Sequence, residues 1–174
     1  ITYPCNFIFI ASMNPCPCGY YGSKDKECTC SDTAIAKYIG KISGPLLDRI
    51  DIQVEVQNVK YSKLENEQPS ESSEKIRERV NKARKIQLER YKENGIFSNS
   101  ELTPKLMNKY CKLDENGKKI MKNAIEKLGL SARAHDRILK VSRTIADLDE
   151  KKNIEAKHVA EAVQYRSLDR KYWR

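Results

Sequence analysis

The chain has 174 residues, of which 33 are basic and 24 acidic, so its formal net charge at pH 7 is +9. This length fits one or two domains, and no stretch approaches the roughly 18 consecutive apolar residues that a membrane-spanning helix needs. No signal peptide opens the chain, so we expect a cytoplasmic protein without a membrane partner. The basic excess favours polyanions such as nucleic acid or nucleotide, although a generally lysine-rich surface would carry the same charge.

The first part of the chain has the pattern of an α/β fold. An apolar run at residues 7–12 has the length and β-branched content of a buried strand, which predicts that Asn14 lies at the strand's C-terminal end. Ligands of open α/β sheets bind at such ends. A helix is predicted over residues 32–42 and an alternating strand over residues 50–56, with a brief helical turn between them that presents Arg49 at the start of the second strand.

Four of the six cysteines fall within one short loop as two C-x-C pairs. Two close pairs of thiolates separated by a glycine- and tyrosine-containing turn can converge on one tetrahedral ion, and in a reducing cytosol this pattern favours metal over disulfides. The sequence therefore predicts a structural zinc site formed by Cys16, Cys18, Cys28 and Cys30. Reduced thiols and disulfides remain alternatives, because C-x-C is tighter than the C-x-x-C spacing of common zinc ribbons.

A polar segment at residues 57–73 is the expected linker, and the pattern beyond it is helical throughout. The predicted helices run from Ser72 or Ser73 to about Asn94, from Pro104 to about Cys111, from Asp114 to Leu128, from Ser131 to Leu148 and from about Glu155 to Arg166. In the helix that Ser131 opens, Arg133 lies in the first turn, where a cation opposes the helix dipole. An arginine at that place would be favoured by a bound anion.

Several side chains are expected to have structural roles only. The first helix after the linker should pack through Ile76, Val80, Ala83 and Ile86, and the Ser131 helix through a stripe that runs from Ala134 to Leu148. Cys5 and Cys111 are expected to be packing residues. Neither His135 nor His158 belongs to a Ser-His-Asp or paired-carboxylate arrangement, so both are expected at the surface or at a helix boundary.

Separated stretches of the chain resemble the magnesium-chelatase-like AAA+ ATPases of the ComM/YifB family. They are ASMNPCPCG at residues 11–19, SGPLLDRID at residues 43–51 and QYRSLDR at residues 164–170. The resemblance implies that Asn14 is sensor 1, which polarises the water that attacks the γ-phosphate of ATP. It also implies that Arg49 is an arginine finger for the ATP of a neighbouring subunit, and that Arg133 is sensor 2.

The spacing of these residues alone also allows simpler roles. Asn14 would then be an amide that forms a turn at a strand end. Arg49 would be a solvated surface arginine, or an ion-pair partner of Asp48 or Asp51.

The resemblance also implies a fold and a biological role. The fold is α/β plus all-α: residues 1–56 are the C-terminal end of an AAA+ P-loop αβα core with the cysteine-rich loop, residues 57–73 a linker, and residues 74–174 a helical lid domain. The role is that of a ring-shaped homo-oligomer, a hexamer, which uses ATP and Mg²⁺ to remodel DNA during recombination and competence. Branch migration is the activity implied.

The sequence contains no phosphate-binding loop, because no glycine-rich turn is followed by Lys and then Ser or Thr. No strand ends in paired acidic residues that could hold magnesium. The chain also begins at Ile1 without a methionine, so we expect it to be the C-terminal part of a longer protein. Two other functions remain open: a zinc-stapled nucleic-acid-binding module without ATPase activity, and a motor subunit that drives metal insertion into porphyrins.

Overall fold

A computed structural model describes residue 1, residues 7–56 and residues 70–166. The described residues are mostly helical and form no strand. No helix among them is long and apolar enough to cross a bilayer. The chain divides into two compact units, the first ending at Ser43 and the second beginning at Gly44. Most of the predicted linker at residues 57–73, together with Cys5 and the end of the 164–170 stretch, lies outside the described residues.

The first unit contains the cysteine-rich loop and helix α1 (Asp32–Ile39). The hydroxyl of Ser31 caps the helix by accepting a hydrogen bond from the amide of Ala34. Ile35 and Ile39 form its buried face, one helical turn apart. The helix ends at Ile39, earlier than the apolar pattern predicts, and Gly40 follows as its C-terminal cap.

The two predicted strands are absent from the structure. Residues 7–12 and 50–56 have no regular secondary structure. A strand needs a neighbour that pairs with its backbone N–H and C=O groups, and the described part of the chain provides none. Large apolar side chains in both segments are exposed, namely Phe7, Ile8, Phe9, Ile10, Ile52, Val54 and Val56. The apolar pattern is therefore present without the sheet that it predicts.

The second unit is a helical bundle. Its elements are α2 (Gly44–Leu47), α3 (Ser73–Tyr91), a 3-10 helix (Asn99–Glu101), α4 (Pro104–Tyr110), α5 (Glu115–Leu128), α6 (Ala132–Leu148) and α7 (Ala156–Gln164). Their starts agree with the predicted caps, because the side chains of Ser72, Thr103, Asp114 and Ser131 each accept a backbone N–H. Gly129 ends α5 with a left-handed φ of 55°, a conformation that glycine adopts without strain.

Helix α6 is the centre of the second unit. It packs against α3, α4, α7 and the 3-10 helix, while α5 packs against α7. The predicted apolar stripe of α6 is correct at Ala134 and Ile138, which are buried, whereas Leu148 is exposed. Cys111 belongs to this core as expected, and burial raises the pKa of its thiol to about 11.

Among the residues that the structure describes, helix α3 packs only through its C-terminal half. Ile76 and Val80, which the sequence pattern places in the core, are 42% and 45% exposed. The buried face consists of Ala83, Gln87 and Tyr91, which follow one another at four-residue spacing. The prediction of a continuous apolar face was wrong for the first half of the helix, because no described residue packs against that half.

A buried charge network connects α3 to α6, and the sequence analysis did not predict it. The Asp147 carboxylate is fully buried and accepts hydrogen bonds from Arg90 Nη1 at 2.9 Å and from Arg143 Nε at 3.1 Å. The side-chain amide of Asn99 donates to the same carboxylate at 2.9 Å. Arg143 is itself only 1% exposed. Two guanidinium groups therefore share one desolvated carboxylate, an arrangement in which each charge depends on the others.

His158 lies at a helix boundary, as predicted, but it is buried rather than at the surface. It is the third residue of α7. Its Nδ1 accepts a hydrogen bond from the backbone N–H of Glu155 at 2.9 Å, as part of a capping box. Its Nε2 lies 3.1 Å from the Asp149 carboxylate. The hydrogen bond from Lys157 has the largest effect on the pKa of Asp149, and the one from His158 adds to it, so that the pKa falls to about 2. The histidine therefore fixes the start of α7.

Candidate functional site

The four cysteine thiols predicted to hold a metal lie together in one cluster. The Sγ atom of Cys16 lies 3.4 Å from that of Cys18 and 3.7 Å from that of Cys28, and the Cys18 and Cys28 sulfur atoms are 3.6 Å apart. All four sulfur atoms, with Cys30 as the fourth, lie within 4.8 Å of one another. Four sulfur ligands at about 2.3 Å from a tetrahedral zinc ion stand about 3.8 Å apart. The cluster therefore has the spacing of a shared metal site.

The backbone of the loop directs donors towards these sulfur atoms. Gly19 and Gly22 have φ angles of 83° and 78°, which are left-handed values that favour glycine. The amide of Gly19 closes a turn onto the carbonyl of Cys16 at 3.0 Å, and the amide of Tyr21 donates to Cys16 Sγ at 3.3 Å. Cys16 is fully buried. The sequence C-x-C-G thus folds into a compact turn around one sulfur atom.

The thiols of the cluster differ in how readily they ionise. A hydrogen bond from the backbone amide of Tyr20 is the main cause that lowers the pKa of Cys18 to about 5. A hydrogen bond from the backbone amide of Cys30 lowers the pKa of Cys28. Desolvation and the neighbouring sulfur atoms of Cys18 and Cys16 outweigh this effect, so the pKa of Cys28 is raised to about 12. The four thiols therefore do not all ionise readily together, and a cluster of four thiolates would require a compensating cation. Zinc is a thiophilic ion that such a site could bind.

Asn14 lies beside this loop. Its side chain is exposed, and a Cβ added to Gly19 would lie 3.8 Å from both the Cγ and the Nδ2 of Asn14. The carboxamide therefore rests against the glycine turn that begins at Cys16. The structure places Asn14 next to the candidate metal site and not at the end of a strand.

Arg49 is the second residue after the end of α2, and it is exposed. Its Nη1 donates to the carbonyl of Pro45 at 2.7 Å, which holds the arginine against its own helical turn. Within the described ranges Arg49 forms no ion pair. The two acids closest to it in the sequence, Asp48 and Asp51, pair with other arginines of the second unit. Its guanidinium group is therefore accessible, and no acid among the described residues neutralises it.

The partner of Asp48 is Arg166, a residue whose role the sequence analysis did not identify. Arg166 is 1% exposed and lies just beyond the end of α7. Its guanidinium group donates to the backbone carbonyls of Leu47 and Ile50 and to the carboxylate of Asp48. The only signal in the sequence was its place in the stretch at residues 164–170, which carried part of the family resemblance.

Arg133 lies in the first turn of α6, as predicted. Ser131 caps the helix by accepting the amide N–H of Ala134 at 3.2 Å, and the Arg133 side chain is exposed. One turn further along the same helix, Arg137 pairs with Asp51. The second unit therefore contains both the segment that presents Arg49 and the helix that presents Arg133, whereas Asn14 belongs to the first unit.

Comparisons with known proteins cover almost the whole chain. Residues 1–64 match the family model described as magnesium chelatase, subunit ChlI, and residues 70–166 match the one described as magnesium chelatase, subunit ChlI C-terminal. The chain is 41% identical over 172 residues to Competence protein ComM of Haemophilus influenzae and 39% identical over 171 residues to Uncharacterized protein YifB of Escherichia coli.

The two alignments cover 98% of this chain and 32% and 33% of the respective relatives. An uncharacterized protein of Mycobacterium tuberculosis is 30% identical over 94% of this chain. The chain thus spans about a third of the length of the curated relatives that it matches.

Proposed function

Because the chain belongs to the magnesium-chelatase family and is similar to ComM and YifB, we propose that it is the part of an AAA+ ATPase that senses bound ATP and assists hydrolysis in a neighbouring subunit. The phosphate-binding loop and the magnesium ligands would come from the rest of a longer protein, since these 174 residues contain no such loop. The strand-like segments at residues 7–12 and 50–56 would complete the sheet of that protein's P-loop αβα core.

The observation that carries this proposal is that Arg49 is exposed and that a hydrogen bond holds its guanidinium group in place. An arginine finger must reach the phosphate of another subunit, so it has to be exposed, charged and held in position. Arg49 is exposed, and its Nη1 is anchored at 2.7 Å by the Pro45 carbonyl. Because Asp48 and Asp51 pair elsewhere, the simpler role of Arg49 as their ion-pair partner has no support.

The proposed mechanism gives each of the three residues one task. The Asn14 carboxamide orients the water that attacks the γ-phosphate. Arg49 enters the site of the neighbouring subunit and stabilises the negative charge that develops on the phosphoryl oxygens. Arg133 contacts the phosphates of ATP bound by its own subunit, where the N-terminal amides of α6 favour the same anion.

Arg133→Ala in the full-length protein should weaken ATP binding as well as turnover. A hydrogen bond to a charged group contributes about 1.5 to 3 kcal/mol, so the Kd for ATP should rise about tenfold or more. Titration with a fluorescent ATP analogue measures this change. Lys105→Ala is the control, because it removes an exposed charge of α4 and should leave the Kd unchanged. Equal affinities of the Arg133→Ala and Lys105→Ala proteins would contradict the sensor 2 assignment.

For the longer protein we propose a cytoplasmic homo-oligomeric ring, a hexamer, that couples ATP hydrolysis to DNA remodelling such as branch migration in recombination or competence. The word competence in the name of the Haemophilus relative and the net charge of +9 support this choice of substrate.

The test of this substrate is Mg²⁺-dependent ATP turnover by the full-length protein, measured with a four-way DNA junction, with a porphyrin, and with neither. Stimulation by the junction is the expected result. Stimulation by porphyrin alone would instead favour a chelatase motor. DNA binding without any turnover would favour a zinc-stapled nucleic-acid-binding module.

The cysteine cluster is proposed to hold one zinc ion per chain. Four thiolate ligands complete a tetrahedral shell, so the ion would have a structural role and would leave no open position for catalysis. Its chemistry would be to neutralise adjacent thiolates and so to fix the turn against which Asn14 rests. The sulfur spacing of 3.4 to 3.7 Å supports this proposal.

Cys18→Ser should therefore lose the zinc, whereas Cys111→Ala should keep it, because Cys111 lies in the core of the second unit. Native mass spectrometry measures the metal content of each variant. The far-ultraviolet circular dichroism of Cys18→Ser should stay close to that of the wild type, since the helices of the second unit have their own apolar core. A wild-type protein that is folded, reduced and free of metal would contradict the zinc site.

A further inference from the structure

We infer that Arg166 is a positioning residue for Arg49: its buried guanidinium group fixes the short segment of residues 44–50 that presents the finger. The inference deepens the proposed function and rests on it, because it assigns the group that holds Arg49 in place. The contacts of Arg166 that support it lie within the second unit.

The partners of Arg166 surround Arg49 in the sequence. Its Nη1 donates to the carbonyl of Leu47 at 3.3 Å and to the carbonyl of Ile50, and its Nη2 lies 3.4 Å from the carboxylate of Asp48. Acceptors on both sides of Arg49 thus converge on one guanidinium group. Only the planar fork of arginine offers several donors in this geometry, which a lysine ammonium does not reproduce.

The segment that Arg166 contacts is too short to be stable alone. Helix α2 has four residues, while isolated helices in water require about 12 to 15. Its backbone forms single-turn hydrogen bonds, such as those from the Arg49 amide to the Leu46 carbonyl and from the Ile50 amide to the Leu47 carbonyl, each of 3.0 Å. Leu47 is its buried side chain. Tertiary contacts must therefore fix its conformation, and Arg166 contributes three polar contacts of this kind.

The acceptors around Arg166 also explain why its charge can be buried. A guanidinium group that is 1% exposed needs acceptors that replace water, and the two carbonyls and the Asp48 carboxylate serve this purpose. None of these acceptors is a residue proposed to touch ATP. Arg166 therefore acts on the reaction through the backbone that precedes and follows Arg49.

Two further contacts hold the chain just after this segment. The Gln53 amide donates to the carbonyl of Tyr165 at 3.0 Å, and Asp51 pairs with Arg137 of α6. These contacts would keep residues 51–53 in place when Arg166 is replaced, so the loss of order should be confined to residues 44–50. That local pattern separates a positioning role from a general loss of stability.

The first arm of the test is amide hydrogen exchange in the full-length protein without nucleotide. In Arg166→Gln, peptides that contain the amides of Asp48, Arg49 and Ile50 should exchange at least about tenfold faster, while α5 and α6 keep their wild-type rates. Tyr165→Phe is the matched control: it alters the neighbouring residue, removes only an exposed hydrogen bond to Glu161, and should leave the segment unchanged.

The second arm measures ATP turnover and the Kd for ATP in the same full-length proteins. Arg166→Gln should lower kcat about 10- to 100-fold, the effect of misplacing a catalytic group by about 1 Å, and leave the Kd unchanged. Arg133→Ala, in contrast, should raise the Kd. Arg166→Lys should lie between Arg166→Gln and the wild type in both arms, and it provides the same comparison if Arg166→Gln does not fold.

The outcomes separate this inference from the proposed function. If the wild-type protein does not hydrolyse ATP, the proposed function fails, while hydrogen exchange still reports whether Arg166 orders residues 44–50. If Arg49→Ala loses turnover but Arg166→Gln keeps both full turnover and a slowly exchanging segment, the positioning role is wrong. Faster exchange throughout α5 and α6 would also overturn it, because Arg166 would then stabilise the whole unit.

Discussion

Arg49→Ala should abolish ATP turnover by the full-length protein while its affinity for ATP stays close to that of the wild type. Arginine fingers in related nucleotide hydrolases contribute about 10³ to 10⁵ in rate. The proposed contact is formed with charge that develops on the phosphate of the neighbouring subunit, so it stabilises the transition state and contributes little to ground-state binding. Steady-state turnover together with ATP titration measures both quantities.

Two variants make this test specific. Arg49→Lys keeps the charge but loses the planar fork, so its turnover should lie between those of Arg49→Ala and the wild type. Arg77→Ala removes an exposed arginine of α3 and should hydrolyse ATP at the wild-type rate. If Arg49→Ala were as active as Arg77→Ala, the finger would have been assigned to the wrong residue.

Asp147→Ala should have the largest effect on stability. The substitution leaves Arg90 and Arg143 without their shared carboxylate, and Arg143 remains almost fully buried. Removing one partner of a buried ion pair costs about 3 to 5 kcal/mol, because the remaining charge is desolvated without compensation. Arg143 still donates to the carbonyls of Lys151 and Lys152, at 2.6 and 2.9 Å, but these dipoles do not neutralise a charge.

Urea unfolding followed by circular dichroism measures this loss in the free energy of unfolding. Glu126→Ala is the matched control, because its carboxylate is exposed and lies 3.8 Å from a single lysine. Ion pairs at the surface contribute little, so this variant should unfold near the wild-type midpoint. Equal midpoints for Asp147→Ala and Glu126→Ala would show that the buried network does not stabilise the bundle.

The helices could be predicted because their start and stop signals act within one turn. Thr103 caps α4 and the following proline occupies its first position, Asp114 caps α5, and Gly129 ends it with φ near 55°. These signals depend on the residue itself and on its nearest amides. They do not change with the tertiary environment, so the sequence alone places the helix boundaries closely.

The burial of side chains could not be predicted in the same way, because it depends on which other parts of the chain pack against them. Ile76 and Val80 have the spacing of a core face but no described partner, and the apolar run at residues 7–12 has no neighbouring strand. The contacts of Arg166 join residues that lie 116 and 119 positions apart in the chain. No local periodicity identifies such a pair.

The clustering of the four thiols could be predicted because two close C-x-C pairs in one loop can converge on a tetrahedral ion. Cys16 and Cys28 are 12 positions apart, yet their sulfur atoms lie 3.7 Å from each other, as the paired C-x-C spacing suggested. Arg49 and Arg133 were predicted through a family resemblance, because the task proposed for each of them requires bound ATP and the task proposed for Arg49 also requires a second subunit. Assays of the full-length protein with ATP test both tasks.

ATP turnover by mixed rings is the most direct measurement of the trans-acting role that we propose for Arg49. Full-length Arg49→Ala subunits would keep the phosphate-binding loop that we propose for the longer protein, and a second variant would keep Arg49 but have the lysine of that proposed loop replaced by alanine. Each protein alone should be inactive. Mixed rings should recover part of the activity, because one subunit supplies the loop and its neighbour supplies the finger. Mixed rings that assemble but remain as inactive as the separate proteins would contradict a finger that acts between subunits.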